Sequence, residues 1–249
     1  MLYYVYRFLK LLLLGLDFLI LTIFLYLLSF LPKSWLSVFY PKAFRVWCKS
    51  FVRALDVDLK LHQKNLHKLP EQFILIANHP SAFEDIGVPA LFNVYSLAKI
   101  EVKSWPVFGR ISAAAGTLYV HRESRESRSE AANQIINELA QGKNIALYPE
   151  GGCKGRRIFE DFRYGAFDIS MQTQIPIIPV LLHYEAQDDF EWTAPHTLAH
   201  KIWHFLTSKN NRANYYVFDA LYPSDFSSKE AFMEHAHGLY LKWQAKYLE

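Results

Sequence analysis

The hydrophobic pattern divides the chain in two. From Leu11 to Leu31 it reads "LLLLGLDFLILTIFLYLLSFL", in which only Asp17 is charged. That is close to the ~20 apolar residues needed to cross a bilayer core. No small-x-small cleavage site follows, so the stretch predicts a retained membrane-anchoring helix rather than a signal peptide. A mid-membrane carboxylate is costly, which leaves two forms open, a spanning helix and one dipping into a single leaflet. After Pro32, the basic residues Lys33, Lys42, Arg45, Lys49 and Arg53 alternate with Trp35, Phe39, Phe44, Trp47 and Phe51. Such mixing at helical spacing suits a helix on an anionic membrane surface, or one packed on the domain with its charges merely solvated. The basic set predicts that the bulk of the chain lies on the cytoplasmic side.

From about Leu59 the pattern changes. The apolar runs "FILIA" (73–77), "YSLA" (95–98), "TLYV" (117–120), "NIALY" (144–148), "PIIPVLL" (176–182) and "YYVFDAL" (215–221) each predict a buried strand. Helical patterns separate several of them. The clearest covers 126–141, with Ala131, Ile135, Ile136 and Leu139 on one face and Gly142 as its stop. Ser227 and Glu230 have capping-box spacing ahead of a C-terminal helix. The expected fold is α/β, with helices around a largely buried sheet, preceded by the N-terminal apolar helix. The expected division is 1–58 as anchor and interfacial helix and 59–249 as the α/β domain.

Composition narrows the chemistry. At 249 residues and 51% hydrophobic, the chain can bury one substantial core. A net charge of +3 is too mild to argue for a nucleic-acid partner. Cys48 and Cys153 form no Cys-x-x-Cys pair, and His62, His67, His79 and His121 lack metal-ligand spacing, so neither a disulfide framework nor a metal site is expected, nor any cofactor.

Three predicted strand ends carry polar groups. "NHPSAFED" (78–85) follows the first run, "GTLYVHR" (116–122) ends in His121 and Arg122, and "YPEGG" (148–152) offers Glu150 before Gly151 and Gly152. In an open α/β sheet, residues just past the C-terminal strand ends line the ligand crevice. There is no Gly-x-Ser-x-Gly elbow, and "GGCKG" has neither Walker nor dinucleotide-binding spacing. Cys153 is a conceivable nucleophile, but nothing nearby in the sequence specifies its base.

Taken in order, "NHPSAFED", "GTLYVHR", "YPEGG" with "FRYGAF" (162–167), and "IPIIPV" (175–180) resemble the four-block pattern of the glycerolipid acyltransferases, the family of 1-acyl-sn-glycerol-3-phosphate acyltransferases. The resemblance covers roughly Leu59 to Leu182. It implies a membrane-bound enzyme that moves a fatty acyl group from acyl-CoA or acyl carrier protein to the hydroxyl of a lysolipid, with lysophosphatidate as the first expectation and phosphatidate as product. His79 would be the general base. Arg122, and with it Lys154, would meet an anionic head group, while Glu150, Gly151 and Gly152 shape the acceptor loop.

Two departures from the pattern stand out. The family's first block places Asp five positions after His, where this chain has Glu84, with Asp85 one residue later. The shorter side chain has one fewer rotatable bond to freeze, which favours Asp85 over Glu84 as partner of His79. In the third block "EGTRS" becomes "EGGCK", so Cys153 stands where an arginine often sits. Some relatives acting on lyso-ornithine lipids also lack that arginine, which leaves the acceptor open. A non-catalytic lipid-binding or membrane-scaffolding protein of the same fold is the alternative.

Overall fold

The computed structural model describes residues 2–192 and 196–248. A seven-stranded sheet runs in the order β1-β7-β6-β2-β5-β3-β4. Its strands are β1 (Asp58–Gln63), β2 (Ile74–Ala77), β3 (Tyr95–Lys99), β4 (Leu118–Val120), β5 (Ile145–Leu147), β6 (Ile177–Tyr184) and β7 (Arg212–Val217). β6, β2, β5, β3 and β4 are mutually parallel, and β7 pairs with β6 antiparallel while running parallel to β1. The C-terminal ends of β2, β4 and β5 therefore share one edge of the sheet.

Both faces of the central strands are covered, which is why β2, β5 and β6 read as unbroken apolar runs. Side chains alternate between faces along each strand. Leu75, Ala77, Ile178 and Val180 join a core with α2 (Lys33–Ala54), α3 (Glu84–Leu91) and α8 (Leu198–Thr207), contributed by Trp47, Val88 and Phe205. Ile74, Ile76 and Leu181 point the other way, against α5 (Arg125–Ala140), α6 (Gly165–Thr173) and α9 (Lys229–Tyr247). The Tyr240 hydroxyl of α9 donates toward the carbonyls of Ile76 (2.9 Å) and Val180 (3.0 Å), pinning that layer to the centre of the sheet.

The predicted apolar helix is α1 (Leu2–Leu28), whose segment Val5–Leu28 has a mean hydropathy of 2.6 and only 6% of it buried. It packs on α2 and touches the rest of the chain at both ends. Arg7 meets Asp56 at 3.1 Å and the Leu206 carbonyl of α8 at 3.3 Å. Beyond its other end, Ser29 accepts from Arg110 at 3.0 Å in α4 (Phe108–Ala114). Asp17, the one charge in the apolar run, accepts from Ser50 of α2. Leu12, Leu16, Ile20, Phe24 and Leu27 face outward, each more than half exposed. On α2, Tyr40, Trp47, Cys48 and Phe51 are buried while Trp35, Val38, Phe39 and Val46 are exposed, so the helix both packs on the domain and presents apolar groups outward.

Three details differ from the sequence expectation. β1, "DLKLHQ", was not among the predicted strands because its alternating polar residues hide an edge position beside β7. β7 spans 212–217 rather than 215–221; beyond it the Phe218 amide donates to the Pro179 carbonyl at 3.2 Å and Leu221 bridges back to Ile177. The cap of α9 is Ser228, which accepts from the Ala231 amide at 3.2 Å, one residue later than Ser227. The helix predicted over 126–141 forms as α5, and Gly142 stops it with φ of +78°.

Candidate active site

His79 stands two residues beyond β2, and its side chain is only 7% exposed. Its backbone is held by the turn that follows β5. The His79 amide donates to Glu150 Oε2 at 2.8 Å, and the Lys154 amide donates to the His79 carbonyl at 3.3 Å. Glu150 accepts a second bond on its other oxygen, from the Phe159 amide at 3.2 Å. Two strand ends are thereby locked together.

The carboxylate that faces His79 is Glu84, with Nδ1 at 3.2 Å from Oε2. This corrects the sequence preference for Asp85. Glu84 opens α3 fully buried, and its oxygens accept from the Ser81 amide at 3.0 and 3.2 Å and from the Tyr184 hydroxyl at 2.7 Å. Those bonds fix the additional rotatable bond that argued against it. Asp85, on the next spoke of the helix, is reached by water and lines an apolar hollow between α2, α4 and α8. No hydrogen bond to its side chain occurs among the described residues. The protein surrounding that hollow still raises its pKa, against the opposing charges of His79 and Arg122.

Burial raises the pKa of Glu84, with the contact to His79 and the Tyr184 hydroxyl pulling it back. For His79 the order is reversed. Burial works to lower its pKa, but hydrogen bonds to Cys153 and Glu84, together with the Glu84 charge, hold it well above the usual histidine range. The imidazole is also stacked on Tyr148, with ring centroids 4.2 Å apart and planes at 15°. On its far side Nε2 lies 3.7 Å from Cys153 Sγ.

The remaining predicted residues sit in the turn after β5 and beside it. Arg122, just past β4, donates to the Gly151 carbonyl at 2.9 Å. Gly151 has φ of +75°, which favours glycine, and a Cβ there would lie 2.4 Å from Arg163 Nε, so the arginine side chain would have to move. A Cβ on Gly152 would stand 3.0 Å from Arg122 Nη1. Arg122, Arg128 and Arg163 share the wall of an open, otherwise apolar pocket, which also reaches Tyr148 and Ile135. Lys154 is exposed, its ammonium 4.4 Å above the Phe159 ring rather than turned to His79.

Sequence reasoning missed Tyr184 and Tyr215, which stand 3.2 Å apart behind Glu84. Both lie inside apolar strands, where a tyrosine gives no sign of its partner. Tyr148 was visible in "YPEGG" but carried no assigned part.

Residues 59–183 match the family model described as Acyltransferase, and the chain belongs to that family. Among curated proteins, it is 26% identical over 136 residues to a 1-acyl-sn-glycerol-3-phosphate acyltransferase of Neisseria gonorrhoeae, covering 55% of this chain and 53% of that one. It is 28% identical over 130 residues to a lyso-ornithine lipid O-acyltransferase of Rhizobium meliloti, covering 52% and 41%. The matched part spans about half the length of these relatives. The fold matches the crystal structure of the 1-acyl-sn-glycerophosphate acyltransferase PlsC from Thermotoga maritima with a TM-score of 0.58 at 19% identity, over 96% of this chain and 97% of that one.

Proposed function

We propose that this protein transfers a fatty acyl group from a thioester donor, acyl-CoA or acyl carrier protein, to the free hydroxyl of a lysolipid. The observation that carries the reading is the buried His79–Glu84 pair at the strand ends, its second ring nitrogen turned toward the turn after β5. An alcohol is a poor nucleophile at neutral pH, and a positioned imidazole that takes its proton contributes about 10²- to 10⁴-fold. Glu84 accepts Nδ1–H, fixes the tautomer and stabilises the imidazolium. The two relatives' names point to lysophosphatidate and to a lyso-ornithine lipid as acceptors, and the three arginines around the pocket favour the phosphate. In this reading Arg122 bears on the head group, Gly151 and Gly152 admit the arginines, Glu150 braces His79, and Lys154 acts through its backbone.

The outward apolar face of α1 supports a membrane-associated reading. Burying a Leu or Phe side chain stabilises by about 1.5–3 kcal/mol, and many such residues line that face. Because α1 is tied to Arg110 near one end and to α8 near the other, it lies along the domain. A helix held in this way inserts into one leaflet rather than crossing both, with the catalytic domain, 59–249, at the cytoplasmic surface on the side of the α2 cations and 1–58 as the anchor.

The test is turnover by the full chain in nanodiscs, with both donor types and a panel of lysolipids. Wild type should form diacyl product, and His79→Ala should lose at least 10²-fold in kcat. Lysolipid binding without turnover by wild type would instead make this a non-catalytic lipid-binding protein.

A further inference from the structure

We infer that Tyr184, backed by Tyr215, is a positioning residue for the transfer, whose hydroxyl holds the Glu84 carboxylate against His79 and lets a glutamate serve where the first block of the family carries aspartate. This rests on the acyl-transfer reading above and deepens it. A glutamate has one more rotatable bond than an aspartate, so its carboxylate must be fixed from outside. Two groups do this. The Ser81 amide donates to both oxygens, at 3.0 and 3.2 Å, but it belongs to the same turn as His79 and Glu84 and moves with it. The Tyr184 hydroxyl donates to Oε1 at 2.7 Å, and it comes from the end of β6, 100 positions along the chain. It is thus the contact that ties the carboxylate to the sheet, with Oε2 left for His79 Nδ1 at 3.2 Å.

The tyrosine is itself held. Its ring stacks on Phe190 of α7 (Gln187–Phe190), with centroids 4.3 Å apart and planes at 7°, and meets Phe83 edge to face with centroids 5.9 Å apart. Phe83 immediately precedes Glu84, so the same packing sets the start of α3. Behind Tyr184 stands the hydroxyl of Tyr215 in β7, at 3.2 Å. An ionised carboxylate only accepts, so the single proton of Tyr184 is committed to Glu84 and Tyr215 donates to Tyr184. Bonds in such a chain polarise one another, and each strengthens the next. The Tyr215 hydroxyl fits because position 87, one turn along α3 from Glu84, is glycine: a Cβ there would lie 2.2 Å from that hydroxyl and 3.0 Å from Phe83 Cε1. Glycine inside a helix is unfavourable relative to alanine, so this position suits the hydroxyl rather than the helix.

Neither tyrosine borders the arginine-lined pocket or the aromatic hollow beside Asp85, and both are buried. Their effect on turnover therefore runs through Glu84, not through contact with substrate. With the Tyr184 hydroxyl removed, Glu84 keeps only the shared Ser81 amide besides His79, and the distance between acid and imidazole is no longer set by the sheet. His79 then loses orientation at the moment it takes the proton. A displacement of about 1 Å in such a constellation can cost about 10²-fold in rate. A loosened carboxylate with its charge intact should cost less.

The experiment compares Tyr184→Phe with wild type, as full-length protein in nanodiscs, on the Glu84 and the Glu84→Asp backgrounds. Phenylalanine keeps the ring and its stacking, so the fold should survive. We expect kcat to fall about tenfold with the KM values for donor and acceptor within about twofold of wild type, and Tyr215→Phe to lower kcat about threefold. In Glu84→Asp, whose carboxylate is withdrawn by one methylene and cannot span both partners, adding Tyr184→Phe should change kcat by no more than about twofold. A Tyr184→Phe protein with normal kcat and only a lower melting temperature would make the hydroxyl a satisfied core group and overturn the inference, as would equal losses on the two backgrounds. A wild type that turns over no lysolipid strikes the acyl-transfer reading instead, and a measurement without substrate covers that case. In protein carrying isotopically labelled histidine, the Nδ1 proton of His79, identified by its absence in His79→Gln, should give a downfield resonance that broadens or disappears in Tyr184→Phe. A resonance identical in both, or none in wild type, would refute the positioning by itself.

Discussion

Two turns leave the same edge of the sheet, and they are built on opposite terms. The one after β2, residues 78–84, is buried and saturated with hydrogen bonds. Asn78 exchanges two bonds with the Leu182 backbone, at 3.0 and 2.7 Å, and Glu84 accepts from Ser81 and Tyr184 while facing His79. The one after β5, residues 148–156, is largely half-exposed, bends through Gly151 and Gly155 at φ of +75° and +94°, and is lined with cations. A proton-transfer group must be held within a few tenths of an ångström, so its surroundings are over-determined. A segment of the kind proposed to meet substrate must leave room, so glycines occupy it, and Arg122 and Arg163 stand beside it. The rigid turn holds the His79–Glu84 pair and the open one brings Cys153 and Lys154 beside it.

The largest effect should come from the rigid turn. Glu84→Gln keeps the shape and an acceptor for Ser81 and Tyr184, but presents an amide N–H to Nδ1. His79 must then carry its proton on Nε2, the wrong nitrogen for a base. We expect kcat to fall by about 10³- to 10⁴-fold with thermal stability nearly unchanged. Glu84→Asp, a carboxylate withdrawn by one methylene, should recover part of the loss. Measuring kcat and melting temperature together separates positioning from folding, and a Glu84→Gln protein with near-normal kcat would refute the assignment.

A smaller effect concerns the bond between the two turns. Glu150 is pushed up to about 7 by burial, against backbone amides of Phe159 and His79 that work to lower it, from a value of 4.5 in the unfolded chain. The folded state therefore binds this proton more tightly than the unfolded state. Its contribution is complete below pH 4.5 and declines as pH rises toward 7, by at most about 3 kcal/mol. Glu150→Gln cannot titrate and can accept only one of the two amides through its single carbonyl oxygen, a loss of about 1–3 kcal/mol. Wild type should thus melt above Glu150→Gln at pH 5, with the gap narrowing toward pH 7.5. A gap that widens with pH would mean that Glu150 is stabilised as a carboxylate.

How far the sequence carried this picture follows from where each signal lies. Strands β2, β5 and β6 were legible because burial on both faces removes polar residues from them, and the polar groups just after β2, β4 and β5 do lie on one edge of the sheet. β1 was not, since an edge strand with "DLKLHQ" pays little for exposing alternate side chains. The resemblance assigns the Lys154 charge to a head group; in the structure its ammonium rests over Phe159 and its backbone amide reaches His79, a contact the sequence does not show. Contacts made by main-chain atoms leave no trace in residue type. The partners of Glu84 were hidden for a related reason. Tyr184 sits 100 positions away, and Gly87 leaves the space taken by Tyr215, since a Cβ there would be 2.2 Å from its hydroxyl.

The smallest effect tests the residue on which sequence and structure part. Glu84 and Asp85 are neighbours at the start of α3 and project about 100° apart, so they cannot serve one ring nitrogen together. Stiffness favours Asp85 only if nothing else restrains the longer side chain, and the Ser81 amide and the Tyr184 hydroxyl restrain Glu84. Asp85 instead lines the aromatic hollow formed with Trp47, Phe51 and Phe108, within electrostatic reach of His79 and Arg122. Asp85→Asn removes one negative charge from that field but no hydrogen bond seen among the described residues. We expect kcat to change by no more than about threefold, consistent with loss of a screened charge interaction of under about 1 kcal/mol, and the acceptor KM to change little. If Asp85→Asn were instead the crippled variant and Glu84→Gln the mild one, His79 would have to turn its Nδ1 from the buried acid to the one at the hollow, and the rigid turn would be the mobile one.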